Sequence, residues 1–156
     1  MSGRPARKKI GFSTPRQPET LASRIFGVRS IESEPAAVRR AVMKGVPTTK
    51  LRAVREVYAF SQAEMAEALG VTARTLTRKG RTRTPLGLSA SDGTARLVRV
   101  FDRAVEVLGT RDRATEWLRT SNDALGGDAP RTWLDTDAGT AEVLRVLGRL
   151  EHGVFS

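Results

Sequence analysis

Between Glu19 and Gly153 the apolar residues recur at helical intervals and nowhere alternate, so the pattern predicts an all-α chain without strands. Leu21, Ile25 and Val28 mark a short helix within 19–28. Ser33-Glu34-Pro35 opens a second, with Val38, Val42 and Met43 as its inner face and Gly45-Val46-Pro47 as its stop. Thr48 or Thr49 can cap a third, in which Leu51, Val54, Val57 and Tyr58 share a face. Further on, Ser89 or Ser91 is expected to cap a long helix ending at Leu108. Its Leu97, Phe101, Ala104, Val105 and Leu108 form one stripe, equally suited to packing within the chain or to a homodimer seam. Ala114, Trp117 and Leu118 predict a helix over 112–119, and Arg131 to Leu134 a single turn carrying Trp133. Thr136 caps a last helix with Val143, Leu144, Leu147 and Leu150 inside, closed by Gly153.

The stretch Ser61 to Lys79 organises the rest. Ser61 with Glu64 three residues on spells a capping box, and Met65, Ala66 and Leu69 then share one face. Gly70 supplies a corner that needs positive φ, Val71 enters the core, Thr72 caps the next helix and Leu76 points back. This is the pattern of a helix-turn-helix, whose second helix lies in a DNA major groove. Arg74, Thr75, Arg78 and Lys79 are expected on its outer face, with Gln62 and Thr72 at the two helix starts. Lys79-Gly80 stands where an apolar residue often pins such a helix, so the second helix is expected to be short, followed by a loop over 80–88 carrying Arg81 and Arg83. Arg74 and Arg78 suit base or phosphate contacts; a bidentate Arg–guanine pair discriminates by about 1–3 kcal/mol. Lys79, Arg81 and Arg83 suit phosphates, which position without specifying. The competing reading is a helical hairpin with a solvated basic face.

Charge sharpens the division. Residues 1–90 carry 18 Lys/Arg against 6 Asp/Glu, whereas residues 91–156 carry 9 against 11. A basic half holding a helix-turn-helix favours a polyanionic partner, operator DNA, and leaves the other half for something else. The chain therefore divides into a disordered basic arm over 1–19, a helix-turn-helix domain over 20–88, a connecting or dimerisation helix over 89–110, and a small C-terminal domain over 111–156. Whether the arm touches phosphates or is only a solvated terminus stays open.

There is no cysteine and one histidine, His152, which removes disulfides, thiolate metal sites and cysteine nucleophiles. Asp135, Asp137 and Glu142 read as acids favoured by a helix N-terminus rather than as metal ligands. No metal, cofactor or enzymatic activity is expected. No apolar run approaches the roughly 18 residues of a membrane span, and the basic start lacks a signal peptide's apolar core, so a cytoplasmic protein is expected.

The C-terminal texture is distinctive. Ala114-x-x-Trp117-Leu118, Asn122-x-x-Leu125-Gly126-Gly127-x-x-Pro130 and Gly139-x-x-x-Val143-x-x-x-Leu147-x-x-Leu150-Glu151-x-Gly153, together with Arg74-Thr-Leu76, resemble the Xre/ParS (MbcA-type) antitoxins. The resemblance covers roughly residues 36–156. It implies a partner toxin of the RES-domain class, a C-terminal segment that covers the toxin's NAD cleft, and repression of the protein's own operon. Family members usually read Arg-Arg where this chain has Arg78-Lys79. On this resemblance Asn122, Leu125, Gly126, Gly127, Pro130, Gly139, Val143, Leu147, Gly153 and Phe155 match the toxin-binding pattern; the residues themselves offer Trp133 as an aromatic anchor. Gly126 and Gly127 are as readily explained by backbone geometry. Glu151, His152, Val154, Phe155 and Ser156 are the stronger contact candidates, since no neighbouring pattern buries them. A plain helix-turn-helix regulator with a C-terminal dimerisation domain is the alternative.

Overall fold

The computed structural model describes Gly3 and residues 19–153, which form eight α-helices and three short 3-10 turns, with no strand among the described residues. The basic arm, apart from Gly3 and Glu19, and the terminal Val154, Phe155 and Ser156 lie outside the described residues.

The longest helix, α6 (Leu88–Leu108), is the centre of the fold. It is packed by α1 (Leu21–Phe26), α2 (Pro35–Lys44), α3 (Leu51–Tyr58), α7 (Arg111–Arg119) and α8 (Asp137–Glu151). Leu97, Phe101 and Ala104, the middle of the candidate dimer seam, are fully buried within the single chain, and Val105 and Leu108 pack partly buried against the same core. Val98 and Val100, outside that stripe, are equally buried, because a helix enclosed on several sides is apolar on several sides. The stripe is intrachain core.

Two further expectations change. Ser91 does not cap α6, which starts after Gly87; its buried hydroxyl accepts the Val46 N–H at 2.9 Å and donates to the Leu86 carbonyl. Met43 is 58% exposed instead of lying inside. It falls 100° round the helix from Val42, and α2 ends one residue later.

Two side chains tie distant elements to α6. Tyr58 is completely buried and its hydroxyl donates to the Leu97 carbonyl at 2.7 Å, while its ring stacks on Phe60 at 5.0 Å. Burial pushes this phenol well above its ordinary pKa. Asp102 accepts the backbone N–H groups of Leu21 and Ala22, each at 2.8 Å, so a residue 80 positions away caps the first helix. Its desolvation raises the carboxyl pKa, against the lowering effect of those two bonds and of nearby Arg111.

Candidate functional site

The helix-turn-helix forms as its residues dictate. Helix α4 (Gln62–Ala68) begins with the full capping box: Ser61 Oγ accepts the Glu64 N–H, and Glu64 Oε2 accepts the Ser61 N–H at 2.7 Å. Gly70 turns the chain at φ +66°, where a side chain would strain. Met65, Ala66, Leu69 and Leu76 close the angle between the two helices, all buried; Val71 is only half-buried. The unit is seated on α6 at Gly93, where an added Cβ would lie 3.4 Å from a Leu69 methyl group.

The second helix, α5 (Ala73–Thr82), is longer than the Lys79-Gly80 pair predicts. It runs through Gly80 and stops at Arg83, which takes left-handed φ of +52°. The reason lies in Lys79 itself. Its ammonium turns away from the outer face and donates to the Pro85 carbonyl at 3.1 Å, fastening the helix end where an apolar residue was missing. Lys79 thus fastens the end of α5.

The outer face is accordingly Arg74, Arg78 and Arg81, at i, i+4 and i+7, opposite the buried Leu76. All three are exposed, none has an ion-pair partner among the described residues, and Arg83 continues the charge past the helix end. Thr72 caps α5 by accepting the Thr75 N–H, and its hydroxyl also donates to the Thr75 hydroxyl, so both threonines are partly spent on the cap. Gln62 is held by Arg55, whose Nη1 donates to the carboxamide oxygen at 2.9 Å. This fixes the amide with its oxygen towards Arg55 and its N–H₂ free to donate elsewhere. The sequence had not marked Arg55.

The C-terminal surface is built from the loop after α7, the 3-10 turn Pro130–Trp133 and the first turn of α8. Asn122 knots the loop: its side chain accepts the Ala124 N–H, its carbonyl accepts from Leu125 and Gly127, and its N–H reaches Asp128 O. Gly126 and Gly127 adopt φ of +70° and +90°, so both serve backbone geometry. Leu125 and Pro130 are buried beneath the loop. Gly139 is structural too. A Cβ there would lie 2.0 Å from the Trp133 carbonyl oxygen, which leaves no room for any side chain.

What remains open is a shallow surface where Leu125, Gly126, Trp133 and Gly139 meet Asp128, Asp135 and Glu142. Trp133 is half-buried and donates its indole N–H to Asp128 Oδ2 at 3.2 Å. Asp135 is exposed, and Glu142 is shared by Arg145 and Arg149. Of the expected end contacts, Glu151 is instead gripped by Arg103 on α6, whose two hydrogen bonds hold the carboxyl below its usual pKa. His152 and Gly153 are exposed.

One residue joins the two surfaces. Arg131 donates to the carbonyls of Tyr58 and Ala59, each at 3.2 Å, and to Glu64 Oε1 at 3.0 Å, and lies over the Phe60 ring. The C-terminal turn is thereby bolted to the end of α3 and to the capping box of the helix-turn-helix.

Residues 37–109 match the antitoxin Xre-like helix-turn-helix domain, and residues 103–153 the antitoxin Xre/MbcA/ParS C-terminal toxin-binding domain. The chain belongs to the Xre antitoxin family. An antitoxin Xre of Photorhabdus laumondii is 30% identical over 114 residues, 72% of this chain and 77% of the relative. One from Yersinia enterocolitica is 40% identical over 96 residues, 61% and 65% of the two chains. A protein of a Sphingobium species named Prs ADP-ribosylating antitoxin is 32% identical over 124 residues, 74% and 78%. As an Xre-family antitoxin, the chain pairs a DNA-binding helix-turn-helix with a toxin-binding domain, and no helix among the described residues is long and apolar enough to cross a membrane.

Proposed function

We propose that this antitoxin neutralises a RES-domain toxin by covering its NAD-consuming site with the C-terminal surface, and represses its own operon through α5. The observation that carries the reading is the pairing of two unlike faces on one helical body. The exposed Arg74–Arg78–Arg81 stripe fits phosphates and base edges, and the acid-edged surface around Trp133 suits a protein partner. The Sphingobium relative bears ADP-ribosylation in its name, a chemistry that draws on NAD and is in keeping with a toxin of this class.

Within this reading Trp133 is the aromatic anchor, with Asp128 and Asp135 at the rim. Asn122, Gly126, Gly127 and Gly139 act by shaping the surface. His152 and Gly153, exposed at the end of α8, are toxin contacts on this reading, and so are Val154, Phe155 and Ser156. Arg74 and Arg78 read the operator, Arg81 and Arg83 bind phosphates, and Gln62 donates its amide to a phosphate from the start of α4.

The test is growth of cells expressing the adjacent reading frame with this protein whole, lacking residues 154–156, or carrying Trp133→Ala. The expected result is toxicity relieved by the whole chain and restored by either variant, each checked for folding by circular dichroism. A harmless neighbour, or equal rescue by all three, overturns the occlusion reading and leaves a helix-turn-helix regulator.

A further inference from the structure

The basic surface of α5 does not end at Arg81. That residue lines an open hollow together with Gln62 at the start of α4 and, on α3, Arg52 and Arg55. Arg52 also lines a second hollow, with Lys50 from the 3-10 turn before α3 and Arg24 from α1. The two hollows therefore adjoin at Arg52. A line of five cations, Arg81, Arg55, Arg52, Lys50 and Arg24, runs from the helix-turn-helix to the first helix, and all five are exposed. Lys50 holds α1 in this place: its ammonium donates to the Ile25 carbonyl at 2.7 Å and keeps two further N–H groups for other acceptors. The match to the helix-turn-helix domain begins only at residue 37, so α1 lies before it.

One acid stands in the line. Glu56 accepts from Arg52 Nε at 2.7 Å, and that bond, followed by the fields of Arg52, Arg24 and Arg55, holds its carboxyl below the ordinary pKa. Three guanidinium groups thus surround a single carboxylate, and the surface about it stays positive. The Arg52–Glu56 pair is open to water, with side chains 84% and 55% exposed, so it is weak and exchanges readily for another anion. Arg24 has no ion-pair partner among the described residues.

We propose that this line is a second phosphate track, which binds the DNA backbone flanking the α5 site and has Arg24 of α1 as its outermost contact. The claim rests on the helix-turn-helix reading and extends its DNA surface to an element that the domain match leaves out. Without DNA, Glu56 occupies Arg52. On binding, a phosphate takes the place of that carboxylate, and Arg55 and Arg24 meet further phosphates on either side. A run of cations with one replaceable acid suits a polyanion of repeating charge; a protein surface of mixed charge would leave most of them unpaired. Such contacts add affinity and fix the register of α5 on the duplex, and they read no sequence themselves.

Binding of the full-length chain to two duplexes tests this: the promoter segment directly upstream of its own reading frame, and a mixed-sequence duplex of the same length, each at several salt concentrations. Arg24→Gln and Arg52→Gln are each expected to weaken both duplexes by the same factor and to reduce the slope of log affinity against log salt by about one. Glu56→Gln should bind both duplexes tighter, because it frees Arg52. Glu67→Gln removes an exposed acid of α4 that lines neither hollow, and should change binding far less. All four side chains are exposed, so each variant should melt like wild type and still neutralise toxin. An unchanged salt slope in Arg24→Gln, or equal gains from Glu56→Gln and Glu67→Gln, overturns the track and leaves α5 in place. If Arg74→Ala/Arg78→Ala also binds the promoter like wild type, or wild type binds neither duplex, the helix-turn-helix reading falls with it.

Discussion

Arg131 offers the sharpest quantitative test of how the two halves are joined. Its guanidinium makes three hydrogen bonds and lies 5.5 Å from the centre of the Phe60 ring, and the side chain is 20% exposed. Two of those bonds are long at 3.2 Å and one ends on a half-exposed carboxylate, so each is taken at about 1 kcal/mol, the low end for charged groups. The ring contact adds about 0.5–1 kcal/mol. Ordering an arginine costs up to about 2 kcal/mol. Against that, truncation leaves two helix-end carbonyls without their donor, and the expected net loss for Arg131→Ala is about 2 kcal/mol. For a chain of this size that lowers Tm by about 4–8 °C. Arg131→Met, which keeps the stem, should lose nearly as much, and Arg131→Lys should recover a minority, because an ammonium cannot serve three acceptors in a fork. Thermal and urea unfolding monitored by circular dichroism give the numbers. A Tm for Arg131→Ala within about 1 °C of wild type would refute the assignment of Arg131 as the bolt between the surfaces.

Three other outcomes follow from the geometry. Gly139→Ala should destabilise by at least about 1–3 kcal/mol, the usual cost of overpacking, since the clash is with the Trp133 backbone and not with a flexible tip; a normal Tm would contradict the placement of α8. Arg74→Ala/Arg78→Ala should lower operator affinity and flatten its salt dependence, whereas Lys79→Ala should act mainly on thermal stability; gel shifts at several salt concentrations separate the two, and an unchanged slope in the double variant would argue against groove binding by α5. Glu64 is one acid-sensitive group, since its bonds from Ser61, backbone first, hold its pKa below the ordinary value. A depressed carboxyl contributes stability that is full above the unfolded pKa and vanishes as pH falls through the folded one, so the window is below about pH 4.5. Glu64→Gln, which can still cap, should melt below wild type at neutral pH and converge with it in acid; a constant gap would rule out the charge as the source.

The parts legible in the sequence are those whose partners are near in sequence. The Ser61–Glu64 box, the Thr72 and Thr136 caps, the Gly70 corner and the Met65–Leu69–Leu76 contact each involve residues a few turns apart, so spacing alone predicts them. The toxin-binding pattern is legible as a pattern, and Asn122, Gly126, Gly127 and Gly139 owe their residue types to the geometry of the loop and of the start of α8. Arg131, Asp102 and Arg103 were not marked, because their partners lie 67, 81 and 48 positions away and nothing local distinguishes them from solvated charges. Met43 is exposed, and Lys79 and Glu151 gain intrachain partners, for one reason: the spacing gives a side chain's direction, while the three-dimensional end of a neighbouring element decides whether anything waits there.

The absence of a linker has a consequence for the lifetime of this protein in a cell. The helix-turn-helix match ends at residue 109 and the toxin-binding match begins at 103, so the two overlap inside the last turns of α6. Neither half has a core without that helix. A protease therefore finds no hinge between residues 103 and 109 at which to separate repressor from antidote, and cleavage there has to wait for α6 to open. Turnover of this antitoxin is expected to release toxin and operator together, as one event with one rate.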